Sequence, residues 1–264
     1  MTSNINVSLL ELKLTFLGTG TSQGVPIIGC KCLVCQSSNF KDKRLRSSVF
    51  IEVDGVNIVI DTGPDFRQQM LRESIDKMDA VLFTHEHKDH MAGFDDIRAF
   101  NYIQQKAMDV YADRFVKLAL QRDFYYAFEE NKYPGVPNVN LHLIKNDKFK
   151  INDVEIIPVQ GLHYMLPVFG FRIKDCTYLT DVNYVTTEEK EKIKGSKVLI
   201  VNALRKSDHI SHFSLRQAIS FGEEIGAKSV YFTHMSHQIG LHNEVENELP
   251  HNMHLAYDGL QINL

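Results

Sequence analysis

The segment Thr84-His85-Glu86-His87-Lys88-Asp89-His90 follows directly on the apolar run 80–83. Residues at the end of a strand are held by a rigid sheet yet are free of its hydrogen-bond ladder, so their side chains can converge. In extended backbone, side chains two apart share a side, and His85 and His87 therefore offer two imidazoles to one ion. A turn opened by Asp89 brings that carboxylate and His90 round to a second point. Neutral imidazole and carboxylate suit Zn²⁺, Mn²⁺ or Fe²⁺. The plainer alternative is a polar loop rich in histidine by chance, and the register of these residues after an apolar strand weighs against it.

A second cluster is Cys30-Lys31-Cys32-Leu33-Val34-Cys35, which holds three of the chain's four cysteines. A disulfide framework would spread them along the chain, so the cluster reads first as a metal site. Three thiolates leave a structural zinc one ligand short of its closed set of four. His237, in Thr233-His234-Met235-Ser236-His237, is the candidate for the fourth. Cys176 stands alone and reads as a small buried residue.

Stepping back to what must position these groups, short apolar and β-branched runs predict strands at 12–17, 49–53, 56–60 and 80–83 in the first half. Further strands are expected at 154–159, 168–173, 177–180, 198–201, 229–232 and 260–264. Asp54-Gly55 is a hairpin turn signal. Helical periodicity predicts helices at 65–72, 114–126, 187–193, 214–224 and 243–249, with Thr187 and Ser214 as helix starts and Gly226 as a stop. Strands dominate the first half and strand–helix alternation takes over later. No linker and no sequence repeat divides residues 1–264, which predicts a single α/β domain with two sheets and helices outside. The aromatic stretch 124–128, with Tyr133-Pro134-Gly135-Val136-Pro137 behind it, is expected to be a helix end packed on the core, a lid over substrate being the alternative.

His85-x-His87-x-Asp89-His90 resembles the signature of the metallo-β-lactamase-fold hydrolases, an αββα sandwich that carries two metals. The similarity extends over nearly the whole chain, because His163, Asp181 and His234 follow in the family's order, each at the end of an expected strand. What the resemblance implies is one metal on His85, His87 and His163, another on Asp89, His90 and His234, and Asp181 bridging them. Asp61, in Ile60-Asp61-Thr62-Gly63, matches an aspartate that supports the histidine loop. The cysteine cluster, the Thr-His-x-Ser-His segment and Ala256-Tyr257-Asp258-Gly259 narrow the likeness to phosphoribosyl 1,2-cyclic phosphate phosphodiesterases. That subfamily implies a structural zinc on Cys30, Cys32, Cys35 and His237, two active-site divalent metals, and catalytic roles for Asp181 and His212. The implied reaction is attack on phosphorus by a hydroxide shared between the metals, with His212 serving the leaving oxygen. The glycine-rich turn Gly18-Thr19-Gly20-Thr21 lacks the Gly-Lys-Ser/Thr of a P-loop and reads as turn chemistry. Arg46, before a strand, reads as a solvated strand start rather than a substrate contact.

Composition limits the partners. With 29 Lys+Arg against 33 Asp+Glu the 264-residue chain carries a formal charge of −4, and no basic arm is visible. A tRNA 3′-processing nuclease on the same ligands is therefore disfavoured, because phosphate contacts would be poor. Thioester or lactone hydrolysis and a non-catalytic metal sensor are the other rivals. No run of about 18 apolar residues exists to span a membrane. Residues 1–6 lack the order of a signal peptide, so a cytoplasmic protein acting on a small phosphodiester is expected. A homodimer is compatible with this reading.

Overall fold

The structure, a computed structural model, describes residues 12–264, so the reading of residues 1–6 lies outside the described residues. In chain order the strands are β1 (Leu12–Gly18), β2 (Ser48–Val53), β3 (Val56–Ile60), β4 (Ala80–Leu82), β5 (Met108–Ala112), β6 (Val139–Leu143), β7 (Phe149–Ile151) and β8 (Val154–His163). They continue as β9 (Leu166–Ile173), β10 (Cys176–Leu179), β11 (Tyr184–Val185), β12 (Val198–Asn202), β13 (Ser229–Thr233), β14 (Met253–Leu255) and β15 (Gln261–Asn263). The helices are α1 (Leu33–Gln36), α2 (Phe66–Glu73), α3 (Lys88–Met91), α4 (Arg98–Gln104), α5 (Arg114–Asp123), α6 (Thr187–Ile193), α7 (Leu215–Ile225) and α8 (His242–Glu248).

One sheet has the order β15-β1-β2-β3-β4-β5-β6 and the other β11-β8-β9-β10-β12-β13-β14, with β7 paired to β8. Each changes from antiparallel to parallel pairing partway across, the first at β3 and β4 and the second at β10 and β12. The parallel strands of each sheet therefore send their carboxyl ends in one direction.

The inner faces of the two sheets share a core in which Phe16, Ile58, Ile60 and Leu82 are grouped with Phe171, Tyr178, Val198 and Ile200. Alternate residues of the same strands are buried on the outer faces. Val59, Val81 and Phe83 pack with Phe66, Met70, Phe100 and Leu120 of α2, α4 and α5, while Leu199 and Val201 pack with Leu215, Ala218 and Phe221 of α7. A strand covered on both sides reads as an unbroken apolar run, which is why 56–60, 80–83 and 198–201 are so plain in the sequence. The result is the expected αββα sandwich in one domain.

Local signals hold with small shifts. Ser214 accepts no change of role: its N–H donates to Gln217 Oε1 at 2.9 Å, closing a capping box, and Gly226 ends α7 at φ 70°. Thr186, not Thr187, caps α6 by accepting from Glu189 N. The expected helix 114–126 ends at Asp123 and continues as a 3₁₀ turn, Tyr125–Ala127. The first half is not strand-dominated: α2, α4 and α5 cover its sheet, and β3 to β6 pair in parallel. Alternation was hidden there because α4 buries Phe100 alone and so carries no apolar period. Among the described residues no helix is long and apolar enough to cross a membrane.

Candidate metal centre

The carboxyl ends of β3, β4, β8, β10 and β13 meet at one edge of the sandwich, and each delivers a site residue there: Asp61, His85, His163, Asp181 and His234. Three of these leave their strands in left-handed backbone, Asp61 at φ 66°, Asp181 at φ 57° and His234 at φ 55°. Non-glycine residues rarely adopt that conformation, and here it ends the ladder abruptly and turns the side chain across the edge. His87 opens α3, so that Asp89 and His90 lie in its single turn.

Asp61 anchors this loop. Its carboxylate accepts from Thr84 N and Thr84 Oγ1, both at 2.8 Å, and stands 2.7 Å from His90 Nδ1. Thr84 Oγ1 lies 3.0 Å from His85 Nδ1. The Nε2 atoms of His85 and His90 are thereby the ones presented to the site. His163 Nδ1 lies 2.9 Å from the Ser211 carbonyl, which turns its Nε2 the same way. Such outer partners fix which nitrogen of a ring can ligate.

Asp89, His90, Asp181 and His234 each bring one ligand atom to within 4.8 Å of all the others. Asp181 Oδ2 lies 3.2 Å from His90 Nε2 and 3.1 Å from His234 Nδ1, whereas Oδ1 faces the other way, 3.1 Å from His212 Nε2. His163, Asp181 and His212 form a second group of the same tightness. His85 and His87 adjoin it, their ring centroids 5.8 and 5.1 Å from that of His163 and 4.6 Å from each other. The other six expected ligands are thus gathered around the two oxygens of Asp181. His212 stands closer to Asp181 than an outlying acid would need to.

The donor atoms fit divalent ions. His85 Nε2 is buried without a hydrogen-bond partner, a costly state for a polar atom that coordination relieves, while His90 Nε2 and His234 Nδ1 are buried with only carboxylate oxygens beside them. Burial, offset only in part by nearby Asp181, lowers the pKa of His85 and His163, and it pushes His234 down to about 3. These rings are therefore neutral and ready to ligate. His90 is the exception. Burial acts against its charged form, but Asp181, Asp89 and Asp61 outweigh it and hold its pKa well above the ordinary value. Asp181 is driven below the usual carboxylate range by His234 and His90 despite burial. Asp61 is raised, by burial. A protonated His90 among carboxylates occupies the electrostatic place of a cation.

The sulfur site is equally compact. Cys30, Cys32 and Cys35 place Sγ at 3.4, 3.2 and 3.6 Å from His237 Nδ1, and none of them forms a disulfide. The Cys35 N–H hydrogen bond lowers Cys32 to about 6, while burial raises Cys35 to about 11. Three sulfurs and one imidazole nitrogen form a donor set suited to a soft or borderline metal ion. Cys176 is buried, and that alone pushes its thiol up to about 12.

Several supporting residues were not legible as such. Thr21, within the turn read as backbone chemistry, places Oγ1 3.1 Å from His234 Nε2 across 213 residues of chain. His209 brings Nδ1 to 3.2 Å from His212 Nδ1, and Ser211 Oγ lies 3.0 Å from the same atom. Thr84 carried no signal beyond its place before His85. Arg46 is engaged by Asp65 at 3.1 Å rather than solvated. Phe124, Tyr126 and Phe128 pack against the core beneath α5, as a helix end does, and the Tyr126 hydroxyl donates to Asp95 at 2.6 Å.

Residues 56–235 match the family described as the beta-lactamase superfamily domain. The chain is 41% identical over 253 residues to a protein named octanoyltransferase from Porphyromonas gingivalis. That match covers 95% of this chain and 51% of the relative, so the chain spans about half of that protein's length. Among solved structures, a new diphosphatase from the PhnP family is 38% identical, with a TM-score of 0.90 over 96% of this chain and 97% of that one. Zn²⁺-bound PqqB from Methylobacterium extorquens shares the fold at 17% identity, with a TM-score of 0.78 over 96% of this chain and 100% of its own.

Proposed function

The chain belongs to the beta-lactamase superfamily domain family and is a metal-dependent hydrolase, and on that footing we propose that it cleaves a phosphodiester or diphosphate bond in a small molecule. A compact cyclic phosphodiester of the phosphoribosyl 1,2-cyclic type is the first substrate to try. The observation that carries the reading is Asp181, whose two oxygens face different donor groups, with His212 Nε2 3.1 Å from one of them. The 38% identity to a diphosphatase supports phosphorus, rather than carbon, as the centre attacked.

His85, His87 and His163 would hold one ion, Asp89, His90 and His234 the other, and Asp181 would serve both. Divalent ions there supply Lewis acidity, lowering the pKa of water towards neutrality and neutralising phosphoryl oxygens. The chain's own residues provide orientation and the proton. Water adds its oxygen to phosphorus and releases a proton, the bond to the leaving oxygen breaks, and the protonated His212 ring gives that oxygen its Nε2 proton, the proton from water restoring the ring. Ser211 Oγ and His209 Nδ1, which itself accepts from Ser211 N–H, lie at 3.0 and 3.2 Å from His212 Nδ1 and orient the ring by accepting from it. Zinc on Cys30, Cys32, Cys35 and His237 would hold the connection that carries His234. The free thiols fit a reducing compartment, and the charge of −4 fits a small substrate better than nucleic acid.

The octanoyltransferase name belongs to a protein twice as long, yet the 41% identity makes acyl-thioester hydrolysis the second reading. A panel of cyclic phosphodiesters, diphosphates and an octanoyl thioester, assayed on metal-reconstituted protein, separates the two. The expected outcome is turnover of a phosphorus substrate that His212→Ala lowers at least about a hundredfold, the scale of a lost acid–base group. Turnover of the thioester alone, or an unaffected His212→Ala, would overturn the proposal.

A further inference from the structure

Residues 19–21 form a strap between the sheets at the back of the donor cluster. Gly20 bridges to both Arg46 and Met235, Thr21 N–H donates to the Met235 carbonyl at 3.1 Å, and Met235 N–H donates to the Thr19 carbonyl at 2.9 Å. Thr21 is buried, and its hydroxyl is the one hydrogen-bond partner of the His234 ring among the described residues.

His234 differs from its neighbours. His85, His90 and His163 are held at Nδ1 and offer Nε2, by Thr84, Asp61 and the Ser211 carbonyl respectively. His234 is held at Nε2 and offers Nδ1 to Asp181 Oδ2 at 3.1 Å. Turning the ring over about its Cβ–Cγ axis would replace Nδ1 by a carbon and abolish the donor. The contact fixes the orientation, and because a hydroxyl can also accept, it leaves Nε2 free to carry the proton when the Nδ1 lone pair takes an ion. Threonine suits the task because its branched Cβ restricts χ1, while its own N–H is already tied to the Met235 carbonyl.

We propose that Thr21 is a positioning residue, which holds His234 in the orientation that presents Nδ1 and so sets the divalent-ion affinity of the Asp89, His90, Asp181 and His234 donors. The inference rests on the metal-hydrolase reading and assigns a binding role to a residue of the glycine-rich turn.

The test compares Thr21→Val, which keeps shape and removes the hydroxyl, with Thr21→Ser, which restores it. Mn²⁺ titration followed by the electron paramagnetic resonance of the free ion reports the nitrogen and oxygen sites, since thiolates select softer ions. One equivalent is expected to bind about 10–100-fold more weakly in Thr21→Val, as for other lost outer partners of ligands, with Thr21→Ser within about threefold of the parent on that same scale. In the Zn²⁺-loaded proteins, the ¹⁵N shifts of His234 should report a single ring state, ligating through Nδ1 with the proton on Nε2, in the parent and Thr21→Ser, and a mixture of ring states in Thr21→Val. Unchanged Mn²⁺ affinity and an unchanged ring state in a folded Thr21→Val would overturn the proposal. So would a Thr21→Ser variant as weak as Thr21→Val. A parent protein that binds no Mn²⁺ at all would instead sink the metal-hydrolase reading itself.

Discussion

His90 is the residue whose chemistry differs most between the metal-free and metal-bound protein. Held between Asp61, Asp89 and Asp181, it has its pKa raised well above the ordinary imidazole value by those carboxylates, against burial. Ligation requires the neutral ring, so the incoming ion must expel the extra proton of the charged form. Below the raised pKa, every bound ion at this position competes with a proton, and affinity therefore climbs with pH until His90 is neutral in the free protein as well. Calorimetry in buffers of different ionisation enthalpy should find protons released on ion binding, fewer as pH rises, and a smaller release in a His90→Asn variant. Its neighbours His85 and His234 are already neutral and contribute no such release.

At the level of elements, the loop after β3 passes directly beneath α3. Thr62 N–H donates to the His90 carbonyl at 2.8 Å, and a Cβ built on Gly63 would lie 2.2 Å from the Asp89 carbonyl oxygen. Two backbones in contact leave no room for a side chain. Gly63→Ala should push α3 outward, destabilise the fold by roughly 1–3 kcal/mol as overpacking does, and weaken ion binding through Asp89 and His90. Gly55→Ala is the contrast. Nothing lies near its Cβ, and its φ of 78° alone is penalised, so it should cost about 1 kcal/mol and leave ion uptake intact. Chemical denaturation together with ion titration of both variants checks the distinction.

The same contrast explains what could be read from the sequence. Ligands at strand ends were legible because apolar runs such as 56–60 and 80–83 end abruptly in Asp61 and His85, where residue type changes with element. Strands β5 and β6 were not read, since Asp109, Asn140 and His142 interrupt their apolar positions and β6 lies at the sheet edge with little burial. Thr21 and His209 escaped for another reason. Their value lies in one contact each, with His234 and His212, and a threonine in a glycine-rich turn or an unmatched histidine carries no local mark of such a contact.

For the whole molecule, stability and pH are linked through a group far from catalysis. His242 is buried beside Arg44, with Nδ1 3.2 Å from Nη2, and burial first, then the Arg44 and Lys41 charges, depress its pKa to about 4. In the unfolded chain a histidine titrates near 6.5, so between pH 6.5 and 4 the unfolded state binds a proton that the folded state refuses. This contribution is fully present above pH 6.5, is lost as pH falls through that window, and levels off below it. Relative to His242→Gln, the parent should lose about 2–3 kcal/mol of unfolding free energy between pH 7 and pH 4. Urea unfolding at a series of pH values measures this difference, in which effects common to both proteins cancel.

Asp181 and His234 sit in a backbone shape that glycine adopts freely and that burdens other residues by roughly 1–3 kcal/mol each. Glycine would relieve that strain yet leave a buried void, and at Asp181 it would also strip His90, His212 and His234 of their carboxylate. The backbone at these two places is therefore kept bent by side chains whose loss costs more than the bend. Inactive homologues that arose by neutral decay should accordingly show no enrichment of glycine there.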